Sequence, residues 1–178
     1  RLIVTSSTYQ QSSSVRANAT HTAAEEVDKS NRLLWRQNPR RVDAETLRDS
    51  ILAIAGALNR QSFGPGYKDV RIDKVPPANY YIAIDPIGAQ FNRRTIYRWQ
   101  VRGQRSALLD TFDCPDPSVT APTRNVTTTP SQALSQWNHP FVLRMSKRLA
   151  DRVVKEAGTD VTEQVNHAWG LVLGRAPD

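Results

Sequence analysis

Apolar side chains recur at helical spacing between Val42 and Asn59. Leu47, Ile51, Ile54, Ala55 and Leu58 fall at i, i+4, i+7, i+8 and i+11, one stripe of an α-helix. Asp43 precedes the stripe as an N-cap, Val42 and Leu47 occupy the two positions of a hydrophobic staple, and Glu45 sits where the helix dipole favours an anion. A second start is Thr129-Pro130-Ser131-Gln132, with Pro at the first helical position and Gln completing a capping box. Ala133, Leu134 and Trp137 are expected to face inward there. Asn138-His139-Pro140 breaks that helix and opens another, whose stripe of Phe141, Val142, Met145, Leu149 and Val153 runs to a stop at Gly158. Asp160-Val161-Thr162-Glu163 starts a third, with Val165, Trp169 and Leu173 at four-residue steps and an end at Gly174. The C-terminal third is therefore a helical hairpin or small bundle.

The rest is less regular. Residues 1–9 read as the tail end of a helix, Gln10 to Thr22 as polar surface loop, and about Ala23 to Ser30 as a short helix. Leu33, Leu34 and Trp35 are expected in the core ahead of the Asn38-Pro39 turn signal. Gly64-Pro65-Gly66, Pro76-Pro77 and Asp85-Pro86 interrupt residues 60–91, which read as a surface excursion with one short strand at Tyr80, Tyr81, Ile82 and Ile84. From Arg94 to Arg102 the pattern alternates. Thr95, Tyr97, Trp99 and Val101 share one side and Arg94, Ile96, Arg98, Gln100 and Arg102 the other, the period of a half-buried strand. An acidic loop carrying Asp110, Asp113 and Asp116 follows, and its charge is expected to neutralise the arginine-rich strand.

These elements add up to a mostly α fold, α+β with a minor strand component: a helical bundle or hairpins with one or two short strands and long loops. At 178 residues the chain reads as a single domain, residues 1–178, cut from a larger one. No apolar run approaches the ~20 residues that span a bilayer, so no membrane span is expected. The single cysteine, Cys114, excludes an internal disulfide framework and a Cys-x-x-Cys-His haem attachment. A net charge of +7 permits an anionic partner without identifying one.

Candidate chemistry is sparse. Asp110, Asp113 and Asp116 could offer oxygens to a hard cation, but their spacing is not that of an EF-hand, and turn capping is the plainer reading. Arg93, Arg94, Arg98, Arg102 and Arg105 interleave with Tyr97 and Trp99. A base-stacking platform needs arginine and aromatic on one face, and alternation puts them on opposite faces, so nucleic acid is the weakest reading. His21, His139 and His167 are spread too widely to form a ligand pair, and no base adjoins Cys114 to activate its thiol. No catalytic residue emerges. A polar pocket lined by Arg98, Asp113, Asp116 and Arg124, beside the hydroxyl-rich approach to the Thr129 helix that includes Thr128, is the candidate ligand site.

Several separated stretches carry a family resemblance. They are Leu2-Ile3-Val4-Thr5-Ser6-Ser7-Thr8-Tyr9-Gln10-Gln11-Ser12-Ser13, Asn31-Arg32-Leu33-Leu34-Trp35-Arg36-Gln37-Asn38-Pro39-Arg40-Arg41-Val42-Asp43-Ala44-Glu45, Arg94-Thr95-Ile96-Tyr97, Phe112-Asp113-Cys114-Pro115-Asp116, Thr127-Thr128-Thr129-Pro130-Ser131-Gln132-Ala133-Leu134 and Leu173-Gly174-Arg175-Ala176-Pro177. In this order the chain resembles the C-terminal two thirds of the planctomycete-specific, cytochrome-c-associated domain of unknown function. The resemblance implies an exported protein, periplasmic or extracellular, in which this domain accompanies others, including a cytochrome-c-like module. Haem is then expected in the parent protein and no cofactor in this chain. The resemblance carries no established activity, and together with the absence of any catalytic arrangement in the residues it leads to the expectation of a structural or interaction domain. The alternatives are a polysaccharide-related enzyme or ligand-binding module using the Arg/Asp pocket and, behind it, nucleic-acid binding.

Overall fold

The computed structural model describes residues 2–13 and 19–177. It is mostly helical with a minor strand component, as the pattern indicates. Its described elements are α1 (Ala19–Val27), α2 (Ala44–Ile54), β1 (Val70–Val75), β2 (Ala78–Ala83), α3 (Ala107–Thr111), α4 (Pro130–Asn138), α5 (Pro140–Ala157) and α6 (Val161–Leu173). The chain divides into two compact units, Arg1–Arg41 and Val42–Asp178.

In the first unit, residues 2–10 form successive turns and not a helix, held by short-range bonds such as Ser6 N to the Ile3 carbonyl at 3.2 Å. Helix α1 begins earlier than the apolar pattern suggests, and residues 14–18 of the expected loop lie outside the described residues. The organising residue is polar. Asn31, 3% exposed and in the left-handed region at φ 55°, donates to the Arg36 carbonyl at 2.8 Å and to Asn38 Oδ1 at 3.1 Å, and accepts from Arg36 N. Asp28 accepts from Arg32 N and Leu33 N, and Trp35 Nε1 donates to the Asp28 carbonyl. Leu33 and Leu34 are exposed, contrary to expectation, because this knot closes on backbone amides and leaves them outside it.

The second unit is built on α2. Asp43 caps it by accepting from Thr46 N at 2.8 Å. The helix ends at Ile54, short of Asn59, because Gly56 (φ 63°) reverses the chain: Ala57 N reaches back to the Leu52 carbonyl at 2.8 Å and Gly56 N to Ala53 at 3.0 Å, a Schellman stop. Arg152 of α5 donates to the Ile54 carbonyl at 2.8 Å, a cation at the negative end of the helix. Leu52, fully buried, leads a core shared with Leu108 and Leu109 of α3 and Phe141 and Met145 of α5, while Leu47 and Ile51 pack against it half-buried. Val42 is too exposed to serve as a staple.

Strands β1 and β2 form an antiparallel hairpin in the register Val70↔Ala83 to Val75↔Ala78, with a cis Pro76–Pro77 peptide in the turn. The expected strand over 94–102 is absent. A single turn of 3₁₀ helix, Thr95–Tyr97, interrupts the stretch, and isolated parallel bridges join Arg98 to Tyr67 and Arg93 to Asn59. Thr95 and Val101 are buried and Ile96 is exposed as the alternation requires, but Arg98, assigned to the outward side, is buried, and so is Arg93 just before it. These guanidinium groups find partners inside the fold, so charge did not decide which face turned outward.

In the C-terminal helices the caps hold and some inward faces do not. Gln132 completes its box by accepting from Thr129 N at 3.1 Å, and Asp160 accepts from Thr162 N and Glu163 N. Phe141, Met145 and Val153 are buried as the α5 stripe requires. On α4, however, Gln132 is buried and Leu134 and Trp137 face solvent; on α6 nothing is buried, and Val165 and Leu173 are exposed. A stripe read from sequence marks which side is apolar, and only a packed neighbour makes it a core. Among the described residues no helix is long and apolar enough to cross a membrane.

Candidate functional site

Two arginines shape the middle of the second unit. Arg48, from α2, donates to the Phe91 carbonyl at 2.8 Å, the Arg93 carbonyl at 3.1 Å and Thr95 Oγ1 at 3.2 Å. Its neighbour Asp49 accepts from both Thr95 N (2.8 Å) and Thr95 Oγ1 (2.7 Å). Arg93 gathers the preceding loop, donating to the carbonyls of Phe63 at 2.6 Å and Pro65 at 2.7 Å, with its guanidinium 4.0 Å from the centroid of the Tyr97 ring. Gly66 has no Cβ because one would stand 2.7 Å from the Tyr97 carbonyl oxygen. That close approach lets Tyr67 pair with the backbone on either side of Arg98, through Tyr67 N to the Tyr97 carbonyl and Trp99 N to the Tyr67 carbonyl, both 2.9 Å.

Beside this stitched backbone lies a cavity of about 230 Å³, lined by Tyr67, Asp69 and Arg98, by Asp85, and by His139 and Arg144 at the start of α5. Arg98 Nε donates to Asp69 Oδ2 at 2.6 Å, with 4% of the Arg98 side chain exposed. Arg144 grips Asp85 with both terminal nitrogens, at 2.5 and 2.7 Å, and this fork holds the Asp85 carboxyl below the usual carboxylate range. Burial pushes the Tyr67 phenol up to about 12, so it is neutral at physiological pH. Burial also lowers the His139 imidazole, whose Nδ1 accepts from Phe141 N at 3.2 Å; in the neutral ring the proton is then on Nε2. Two buried atoms of this wall, Tyr67 Oη and Asp69 Oδ1, have no hydrogen-bond partner. A wider depression of about 740 Å³ lies over the C-terminal end of α2, but none of the unpartnered buried atoms belongs to it.

A family model covers the whole chain, residues 1–178. The chain belongs to the PSD1 family, proteins of unknown function (DUF1553). Neither the curated proteins nor the solved structures contain a match to it.

The residues singled out from this PSD1 sequence are placed as follows. Arg98 lines the cavity. Arg124 forks onto Glu45 of α2 at 2.7 and 2.9 Å. Asp113 accepts from Thr127 N at 2.8 Å and from the Thr127 hydroxyl, and Asp116 accepts from Ser118 N at 2.8 Å, both tying loop backbone. Thr128 is exposed on the approach to α4. Arg98, Arg124, Asp113 and Asp116 are engaged in ion pairs or turns, and of the singled-out residues Arg98 lines this cavity. The expected neutralisation of the arginine segment by the aspartate loop is carried by Arg105 with Asp110, while Arg98 and Arg124 pair with Asp69 and Glu45 instead. Cys114 sits 3.8 Å from Glu45 Oε1; burial, and then that carboxylate, push its thiol up, away from nucleophilic use. Among the described residues no three His, Cys, Asp or Glu side chains gather as a metal site would need, and the side chain of His21 lies outside them.

Tyr67, Asp69, Asp85 and Arg144 were not singled out from the sequence, and His139 was read only as a helix-start residue without a ligand partner. Asp69 and Arg98 are 29 residues apart and Asp85 and Arg144 are 59 apart, separations across which no local periodicity speaks. The one available signal was Gly66 between Pro65 and Tyr67, a glycine where two backbones meet.

Proposed function

We propose that this PSD1 domain is an interaction module of an exported, multidomain, cytochrome-associated planctomycete protein, and that its docking face is the outward side of α4 and α6. The carrying observation is on α4: Leu134 and Trp137, three residues apart, share one face of a capped helix and are 60% and 78% exposed. Helix α6 adds Val161, Val165 and Val172 on one stripe and buries no residue. A large rigid aromatic held outward on a capped helix is the kind of anchor that dominates protein interfaces. The family resemblance supplies the occupant, the parent's cytochrome-c-like module, and the haem is expected there, since a single cysteine excludes a Cys-x-x-Cys-His attachment in this chain.

The test is to pass this chain and the haem-bearing region of the parent through a sizing column and follow the haem absorbance. Association is expected, with Trp137→Glu weakening it roughly thirtyfold, the loss of about 2 kcal/mol typical of an anchor. If the two do not associate, either as separate chains or within the parent, the reading is wrong.

A further inference from the structure

The cavity that Arg98 lines is independent of the docking face, and the free polar groups of its wall are mostly donors. Arg98, 7% exposed, gives Nε to Asp69 and Nη1 to Gln100, which leaves Nη2 without a hydrogen-bond partner among the described residues. That nitrogen is not sealed from solvent, whereas Tyr67 Oη and Asp69 Oδ1 are, so those two atoms offer the cavity nothing. Arg144 directs both terminal nitrogens at Asp85 and keeps Nε free. The Ser106 hydroxyl makes no cap bond to α3, and among the described residues the Asn92 side-chain amide has no partner. His139 is neutral, with its proton on Nε2. The charge of the wall agrees with these donors. Three arginines and two aspartates line the space, an excess of one positive charge, and the positive end of α5 adds to it. Both aspartates are turned to their arginines, Asp69 Oδ2 to Arg98 and the two Asp85 oxygens to Arg144.

We propose that this cavity binds a small organic monocarboxylate. The carboxylate accepts from the Arg98 guanidinium and the Ser106 hydroxyl, which also share the wall of a smaller second cavity and so stand together. Asn92 and His139 supply further donors from other sides of the same space. One negative charge matches the excess of the wall; a dianion exceeds it, and a cation meets three guanidinium groups. Leu108, Leu109, Phe141 and Ile84 line the remainder and suit a hydrocarbon tail. A cavity of about 150 Å³ holds a benzene ring, so about 230 Å³ accommodates a carboxylate with a few carbons behind it. The way in lies at Asp85 and Arg144, whose side chains are 40% and 29% exposed, against 4% for Arg98.

The experiment titrates the isotope-labelled chain with sodium acetate and sodium butyrate, each to tens of millimolar at constant ionic strength, and follows backbone amide resonances. Saturable shifts centred on residues 98, 106–109 and 139–144 are expected with butyrate. Acetate should bind about tenfold more weakly, because two methylenes fewer are buried at ~0.8 kcal/mol each. Butanol and butylammonium, the neutral and cationic counterparts, should give no saturable response. Ser106→Ala should weaken butyrate binding about tenfold and leave the melting temperature of the free chain unchanged, since that hydroxyl holds no cap bond. The proposal is overturned by no saturable shift with butyrate, by shifts centred elsewhere, or by undiminished binding to Ser106→Ala. Equal or stronger binding of butanol, butylammonium or inorganic phosphate would overturn it too. If Ser106→Ala fails to fold, the ranking of these probes on the unaltered chain decides.

Discussion

Replacing Thr95 with valine removes one hydroxyl from the most enclosed polar contact in the second unit. Thr95 is 1% exposed, so the new methyl group occupies the same space and no cavity opens. The lost hydroxyl was donating to Asp49 Oδ1 at 2.7 Å and accepting from Arg48 Nη1 at 3.2 Å. Hydrogen bonds to charged groups contribute ~1.5–3 kcal/mol each, and the 2.7 Å bond belongs at the stronger end. Asp49 retains Thr95 N, and Arg48 retains the Phe91 and Arg93 carbonyls. With 24% of the Asp49 side chain exposed, water can replace part of what is lost. The net cost should be roughly 2–3 kcal/mol, a melting temperature about 4–12 °C lower for a chain of this size. Thr95→Ser keeps the hydroxyl and loses one methyl group, about 1 kcal/mol. Calorimetry and urea unfolding at neutral pH would measure both. If Thr95→Val fell within about 0.5 kcal/mol of the parent, or did less harm than Thr95→Ser, the claim that Arg48 and Asp49 hold this segment in place of a β-ladder would fail.

Gly66→Ala should destabilise the second unit by roughly 1–3 kcal/mol, the range for overpacking, because its Cβ would press on the Tyr97 carbonyl; loss of amide protection at Tyr67 and Trp99 would report it. Acid sensitivity follows from Glu45 and Asp85, whose carboxyls are lowered in the fold by hydrogen bonds from Arg124 and Arg144. Since the folded values lie below the unfolded ones, their stabilisation is complete above the ordinary carboxylate range near about 4 and is lost as pH falls through the folded values. Arg124→Gln or Arg144→Gln should therefore flatten the fall in urea midpoint on acidification, and an unchanged slope would refute that assignment.

Sequence by itself determined the features that depend on neighbours a few residues apart. Asp43, Gln132 and Asp160 cap helices because a side chain and a free amide meet within three residues, whatever the rest of the chain does. The stripe of Phe141, Met145 and Val153 is inward for the same reason of period, and the balance of helix over strand follows from the sum of such segments. Gly56 was equally local, yet its φ above zero shows only once the chain is seen to turn there.

Tertiary structure alone decided which apolar faces found a neighbour and which carboxylate each arginine met. Trp137 and Leu134 have the spacing of core residues and stand in solvent because, among the described residues, no element covers that side of α4. The alternation from Arg94 to Arg102 promised a strand, but a β-ladder needs a partner strand, and the segment is held instead by Arg48 and Asp49 at Phe91, Arg93 and Thr95. Arg98 meets Asp69 across 29 residues of chain, and the cavity exists only where those distant segments close on one another. Helix caps and period are set by short-range geometry, whereas charge pairing and cavities are set by how the chain folds back, for which residue spacing carries no code.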